Sequence, residues 1–355
     1  MSKTVRAALM VAMLFMLSAQ SMADYRIGVY YFPGWKDNLP HAPSLHPWEP
    51  IKKFPERKPL LGWYKEGSKE IMRKQIDWMH EYGISFIAFD WYFTKEHKEV
   101  LGHALSAYLD APNRGKEQFS LLWANHTNYP SSLDDWDAMV NCWINDYLPR
   151  REFLKIDGKP VIFVFSADAL VRDAARFGKT SGDLIARAQT LAREHGLPGI
   201  YFVACTGARS PMIDRDAKAS GYSAFSAYNY WGGPASAAVS HTFTELDYDY
   251  REHWERFARK GNLPLIVPMI SGWDRRPWGP SSDPLHDNCL STPEEFRTHL
   301  SAAKSFMDAH PLPSGDEMGI ICAWNEFGEG SFIEPTESHG FAYLEQIRDV
   351  FGGPR

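Results

Sequence analysis

The sequence predicts an α/β protein built as a single (β/α)8 TIM barrel with long loops on its catalytic face. Three observations carry that prediction. Eight short apolar runs rich in β-branched and aromatic residues recur along the 355 residues. Helical segments separate them, and this alternation marks βαβ units on a parallel sheet. No serine-rich or proline-rich linker divides the chain, and single barrels routinely reach this length. With 44% hydrophobic and 23% charged residues, the composition is ordinary for a globular protein and excludes disordered, collagen-like and coiled-coil architectures. An open doubly wound sheet is the alternative, but no glycine-rich phosphate loop follows the first strand.

In chain order, the first segment reads as a leader. Lys3 and Arg6 precede an apolar run from Ala7 to Leu17, and Ser21-Met22-Ala23 supplies the small residues of a cleavage site. Residues 1–23 are therefore expected to be a secretory signal peptide and 24–355 the catalytic domain, exported to the periplasm or the extracellular space. The apolar run is too short to span a bilayer comfortably and no second one follows, so no stable membrane insertion is expected after cleavage. The strands are expected at Arg26–Phe32, Ser85–Trp91, Ser120–Asn125, Pro160–Phe165, Ile200–Cys205, Ala224–Tyr228, Leu265–Ile270 and Ile320–Trp324. Each is apolar enough to be buried on both faces.

Between them, Ser68–Tyr82 carries Ile71, Ile76 and Met79 on one helical stripe and stops at Gly83. Asp183–His195 ends at Gly196. Thr292-Pro293-Glu294-Glu295 is a capping box with proline at the first helical position, opening a helix to about Ala309. The long irregular stretches 34–67 and 271–291 each follow a strand, which in a barrel puts both on the catalytic face.

The charge balance, 38 Lys plus Arg against 44 Asp plus Glu, leaves no basic footprint for a nucleic-acid partner. Cys142, Cys205, Cys289 and Cys322 permit disulfides in an exported chain. Cys205 and Cys322, however, lie in apolar strand-like runs where a free thiol behaves as a small hydrophobe. No CxxC pair or His cluster has zinc spacing, so neither a metal nor another cofactor is expected.

Barrel active sites form at the C-terminal ends of the strands. There this chain gathers Tyr30 and Tyr31 after strand one, Asp90, Trp91 and Tyr92 after strand two, and Trp123, Asn125 and His126 after strand three. Tyr228, Asn229 and Trp231 follow strand six, Trp273 strand seven, and Asn325, Glu326 and Glu329 strand eight. Flat aromatic platforms mixed with neutral and acidic hydrogen-bonding groups are what a pyranose needs from a site. Two carboxylates three residues apart, beside Gly328 and Gly330, form the pair by which most glycosidases work, one protonated and one ionised. On the same residues alone, solvated loop acids are the commoner reading of such a pair. Asp90 reads as a substrate acceptor or a helix cap, and His126 as a ligand contact or a packed loop residue.

Several motifs together resemble glycoside hydrolase family 99 and its 99-like group, which holds endo-α-1,2-mannosidases and the WbsX-like proteins of polysaccharide loci. They are Tyr30-Tyr31-Phe32-Pro33-Gly34-Trp35, Phe89-Asp90-Trp91-Tyr92, Trp123-Ala124-Asn125, and Ala323-Trp324-Asn325-Glu326-Phe327-Gly328-Glu329-Gly330 followed by Ile333-Glu334-Pro335. The resemblance implies a (β/α)8 barrel and a retaining reaction at an α-linked sugar of an oligosaccharide or polysaccharide. It further implies Glu329 as general acid and base on the bridging oxygen. Glu326 is then the group that deprotonates the sugar 2-hydroxyl, so that the 2-oxygen displaces the leaving group through an epoxide-like intermediate. Asn325 is implied as a neighbouring substrate contact, and Tyr30 or Tyr31 as a donor near the reacting carbon. Phe327 and Gly328 stand where endo-mannosidases place Trp and His, which is closer to the WbsX-like pattern, so mannose itself is not implied.

The leading expectation is thus an exported, endo-acting glycoside hydrolase. A glycosyltransferase or transglycosylase of surface-polysaccharide assembly is the alternative, and a non-catalytic carbohydrate-binding barrel is a third.

Overall fold

The computed structural model describes residues 25–37, 46–96, 98–236 and 238–353. The expected signal peptide lies outside them. Eight parallel strands form one sheet: β1 (Tyr25–Tyr31), β2 (Ile84–Phe93), β3 (Gln118–Trp123), β4 (Lys159–Val164), β5 (Tyr201–Cys205), β6 (Ala224–Ser226), β7 (Val267–Ile270) and β8 (Glu317–Cys322). Their hydrogen-bonded order is β6-β5-β4-β3-β2-β1-β8-β7. A parallel bridge between Phe225 and Leu265 joins the two ends of that order and closes the barrel. The closing bonds run from Phe225 N to Pro264 O at 2.8 Å and from Ile266 N to Phe225 O at 2.9 Å. All eight expected strands are present, shifted by at most three residues at either end.

Successive strand side chains face opposite sides, and this parity builds two cores. Phe86 and Ala88, Leu122, Val161 and Phe163, Tyr201 and Val203, and Ile320 and Cys322 fill the barrel interior. Ile27 and Val29, Ile87 and Phe89, Phe119 and Leu121, and Ile162 and Val164 pack outward against the helices. Those helices are α1 (Lys69–Glu81), α2 (His103–Asp110), α3 (Leu133–Cys142), α4 (Ala167–Ala175), α5 (Ser181–Glu194), α6 (Phe243–Lys260), α7 (Pro293–Ala309) and α8 (Ala342–Phe351). Helix α1 buries Met72, Ile76 and Met79 on its inner stripe. The capping box at Thr292 and Glu295 forms as expected, and Thr180 with Asp183 makes a second one that starts α5 at Ser181. All four cysteines are free.

A third apolar cluster lies on the C-terminal side of the barrel, where the long loop after β1 folds over. Trp35, Trp48, Ile51 and Tyr64 from that loop enclose Phe327 and Phe332 from the segment after β8. The Trp35 and Trp48 rings stack at 4.2 Å. Among the described residues no helix is long and apolar enough to cross a membrane.

Candidate active site

The inward parity of β2 runs Phe86, Ala88, Asp90, which lifts a carboxyl onto the top layer of the barrel interior. The same alternation from β6, through Ala224 and Ser226, brings Tyr228 to the same level. After β8 the chain turns through a small hairpin that pairs Asn325–Glu326 with Ser331–Phe332, and this turns Glu326 inward.

The three side chains meet. The Tyr228 hydroxyl lies 2.8 Å from Glu326 Oε1 and 3.1 Å from Asp90 Oδ2. Asp90 is 7% and Glu326 4% exposed. Their remaining oxygens, Asp90 Oδ1 and Glu326 Oε2, are buried without a hydrogen-bond partner. Buried polar atoms in that condition are uncommon and cost free energy unless a ligand or water serves them.

The electrostatics follow from this crowding. Burial drives Glu326 well above the usual carboxylate range, and the charges of Glu329 and Asp90 add to the effect while the Tyr228 hydrogen bond opposes it. Burial also raises Asp90 strongly, against the Tyr228 hydrogen bond and with the help of Glu329. Glu329 sits nearer the mouth. Burial pushes it up to about 7 and the positive charge of Arg275 pulls it back. All three carboxyl groups are thus raised, Asp90 and Glu326 by full burial and Glu329 to about 7, and carboxyl groups perturbed by burial in one cleft are a mark of acid and base chemistry.

The cavity above these groups has a volume of about 230 Å³ and is walled by Phe32, Tyr92, Phe165, Trp231, Trp273 and Trp278. Trp231 lies 5.9 Å from Trp273, and Phe32 5.6 Å from Trp278, ring centre to ring centre. A groove of about 480 Å³ adjoins it, sharing Phe165, Tyr228, Asn229 and Trp231 and continuing over the ends of β4, β5 and β6. Asp168 faces that groove and accepts hydrogen bonds from Thr206 at 2.6 Å and Ser210 at 2.5 Å. Among the described residues no cluster of three or more His, Cys, Asp or Glu side chains could hold a metal ion.

The acidic segment is fastened from three sides. Arg57, wholly buried, donates to Phe327 O at 2.7 Å and to Asp274 O at 2.9 Å, and its guanidinium also pairs with the Asp274 carboxylate. The Asp274 amide donates to Glu329 O at 2.7 Å. Arg276 completes the network on Asp274 with a bidentate pair. Asn325 clamps the backbone of Phe32 through both ends of its amide at 2.9 Å, and its own carbonyl accepts from the Trp35 indole at 2.8 Å. Gly328 lies flat beneath Trp278, where a Cβ would penetrate the indole ring. Gly330 holds a φ of +74° hard against the Asp274 backbone, a conformation only glycine adopts without strain.

Of the residues expected from sequence, the structure brings Asp90, Tyr92, His126, Tyr228, Asn229, Trp231, Trp273, Glu326 and Glu329 to the cavity. The others stand elsewhere, chiefly because of strand parity. Tyr31, Trp91 and Trp123 occupy outward positions and pack under the helices, with the Tyr31 hydroxyl on Gln75 at 3.1 Å. Tyr30 faces inward but lies below the cavity floor, its hydroxyl donating to Ala227 O at 3.2 Å and its ring 4.9 Å from that of Tyr228. Neither Tyr30 nor Tyr31, expected as a donor near the reacting carbon, lines the cavity; the tyrosine hydroxyl on the carboxyl groups is that of Tyr228. Asn125 is spent on Ser166, accepting from its amide and donating to its carbonyl at 2.8 Å each, and Asn325 on the clamp just described. Phe32, Phe165 and Trp278 line the cavity without having been singled out. Trp278 and the positioning pair Arg57 and Asp274 belong to the two long loops, where no periodicity marks a residue as inward-facing.

The family model described as "Glycosyltransferase WbsX" matches residues 51–347. A curated relative, the uncharacterized protein WxcX of Xanthomonas campestris pv. campestris (strain B100), is 23% identical over 315 residues, covering 82% of this chain and 42% of its own length. The chain thus spans less than half of the curated relatives it matches. Among solved structures, a glycoside hydrolase-like protein superposes with a TM-score of 0.67 at 15% identity, over 93% of this chain and 94% of that one. The GH99 endo-α-mannosidase of Bacteroides thetaiotaomicron gives 0.64 at 16% identity, over 92% and 96%. These likenesses carry the barrel fold. With the family model spanning most of the sequence, including every residue of the acidic segment after β8, the chain belongs to the WbsX family.

Proposed function

We propose that the protein cleaves α-linked glycosidic bonds within an oligosaccharide or polysaccharide, with retention at the sugar carbon. Glu329 gives its proton to the bridging oxygen. Glu326 takes the proton of the sugar 2-hydroxyl, so the 2-oxygen displaces the leaving group from the adjoining carbon. Water then opens the three-membered ring, losing a proton to Glu329 while Glu326 returns one to the 2-oxygen. The observation that carries this reading is the pocket itself: Glu326 buried with one oxygen unpartnered, Glu329 at the mouth with a value near 7, and tryptophans on the walls. The adjoining groove supports a substrate longer than one sugar. We also place the reaction outside the cytoplasm, on the leader-like character of residues 1–23.

Mass-spectrometric product analysis of the purified protein on α-mannan, bacterial exopolysaccharides and aryl α-glycosides tests the reading, with Glu329→Gln alongside. The expected outcome is oligosaccharide release that falls about 10²- to 10⁴-fold in the variant, the usual worth of a general acid, with sugar binding retained. Equal release by variant and wild type overturns it. The family description favours a second reading, glycosyl transfer. Growth of an acceptor glycan that depends on an added donor would select it.

A further inference from the structure

Two carboxyl groups contact a hydroxyl that owns a single hydrogen. Tyr228 can donate to Glu326 Oε1 or to Asp90 Oδ2, but not to both. The second contact is a hydrogen bond only if that carboxyl carries a proton and donates it to the phenol oxygen. Among the described residues no Lys, Arg or His forms an ion pair with either group. The titratable side chains facing the pair include Glu329, Glu66, Tyr92 and the Cys205 and Cys322 thiols, with His126 on the cavity wall and the charge of Arg275 acting on Glu329. Two buried carboxyl groups that face one hydroxyl disfavour a second negative charge, so at least one of them tends to keep a proton.

Tyr228 is 2.8 Å from Glu326 and 3.1 Å from Asp90, so its one hydrogen is directed at the nearer oxygen and the longer contact is a hydrogen bond only with Asp90 as its donor. The directed chain is therefore Asp90 carboxylic acid to Tyr228 oxygen, then Tyr228 hydroxyl to Glu326 carboxylate.

We propose that Asp90 is a positioning residue that holds this proton, through Tyr228, so that Glu326 stays ionised with Oε2 free to accept the proton of a substrate hydroxyl. The inference rests on the reading above in giving Glu326 the role of base, and deepens it. Through the cycle Asp90 keeps its own proton. Glu326 gains one on Oε2 from the substrate and later returns it to the 2-oxygen. An ionised Asp90 would instead add its charge to the burial that already raises Glu326, and leave no base.

The first test needs no substrate. In protein labelled with carboxyl-¹³C aspartate, the Asp90 resonance is assigned by its absence in Asp90→Asn. The expected result is the chemical shift of a neutral acid at pH 7, retained in Tyr228→Phe, where burial of Asp90 is no longer opposed by the tyrosine hydroxyl. A fully ionised Asp90 at pH 7 in the wild type overturns the proposal, whether or not any glycan is cleaved.

The second test applies once a cleaved substrate is in hand. Asn is a permanent donor that imitates the neutral acid, so Asp90→Asn lowers kcat by about tenfold or less. Asp90→Ala, which leaves the phenol oxygen without a donor, lowers it by about 10²-fold. A loss in Asp90→Asn as large as that in Glu326→Gln, with unchanged thermal stability, would make Asp90 a working carboxylate and overturn the proposal. Cleavage that fails outright while the ¹³C result holds indicts the function and leaves the proton assignment standing.

Discussion

Glu329 is the carboxyl on which pH acts most directly. Burial raises it to about 7 and Arg275 limits the rise. In its proposed role as the acid it works when protonated, so activity is expected to fall as pH climbs through that value. Replacing Arg275 with Gln removes the opposing charge, and the alkaline limb of kcat/KM is expected to move to higher pH. A limb that stays put would show that another group sets it. At this scale the sequence was legible in residue type and misleading in direction. Glu326, Glu329, Asp90 and Tyr228 could be named from their places at strand ends. Trp91 and Trp123, equally prominent there, differ from their neighbours by one step of parity, and that step is fixed by which of two alternating sets fills the barrel. The hydroxyl on Glu326 belongs to Tyr228, after β6, which lies two strands from β8 only once the bridge at Phe225 and Leu265 closes the barrel.

The segment from Ala323 to Pro335 behaves as an inserted part, held at Asn325, Phe327 and Glu329 by groups from two other loops. Gly328 is its point of closest contact with a wall of the cavity. Gly328→Ala would drive a methyl group into Trp278, so the indole must leave the pocket. The expected outcome is a rise in KM, matched by Trp278→Ala alone, with the double variant no worse than either single one. Additive losses would mean that the two residues act separately. The strands and the capped helices were readable because period-two and period-3.6 patterning and punctuation are local signals. The two long loops carry neither, and their shape is set by contacts such as Arg57 with Asp274, whose positions in sequence are 217 residues apart.

Over the whole molecule, several carboxyl groups are held protonated by burial. Glu329, Glu334 and Glu117 rise to about 7, 8 and 9. Between the ordinary value of 4.5 and those values the folded chain keeps protons that the unfolded chain has released. Their contribution to stability therefore decreases with rising pH across that interval. Below pH 7 the buried histidines, whose values are lowered, act in the opposite sense, so a denaturation midpoint that declines from pH 7 toward pH 9 is expected. Glu334→Gln should flatten the decline, since Glu334 accepts only from Gln75 and Tyr64, both uncharged. A midpoint independent of pH from 7 to 9 would contradict it.

The barrel's joint between β6 and β7 is its thinnest, three residues of strand meeting the next through a single bridge at Phe225 and Leu265. The groove beside the acidic pocket runs over the end of β6, with Ala227 and Tyr228 on its floor. A cylinder stitched this way acts as a split ring. A sugar chain lying in the groove would hold the split shut, so the backbone amides around Phe225 should exchange with solvent more slowly once glycan is bound. Grip on the substrate and closure of the fold then become the same event.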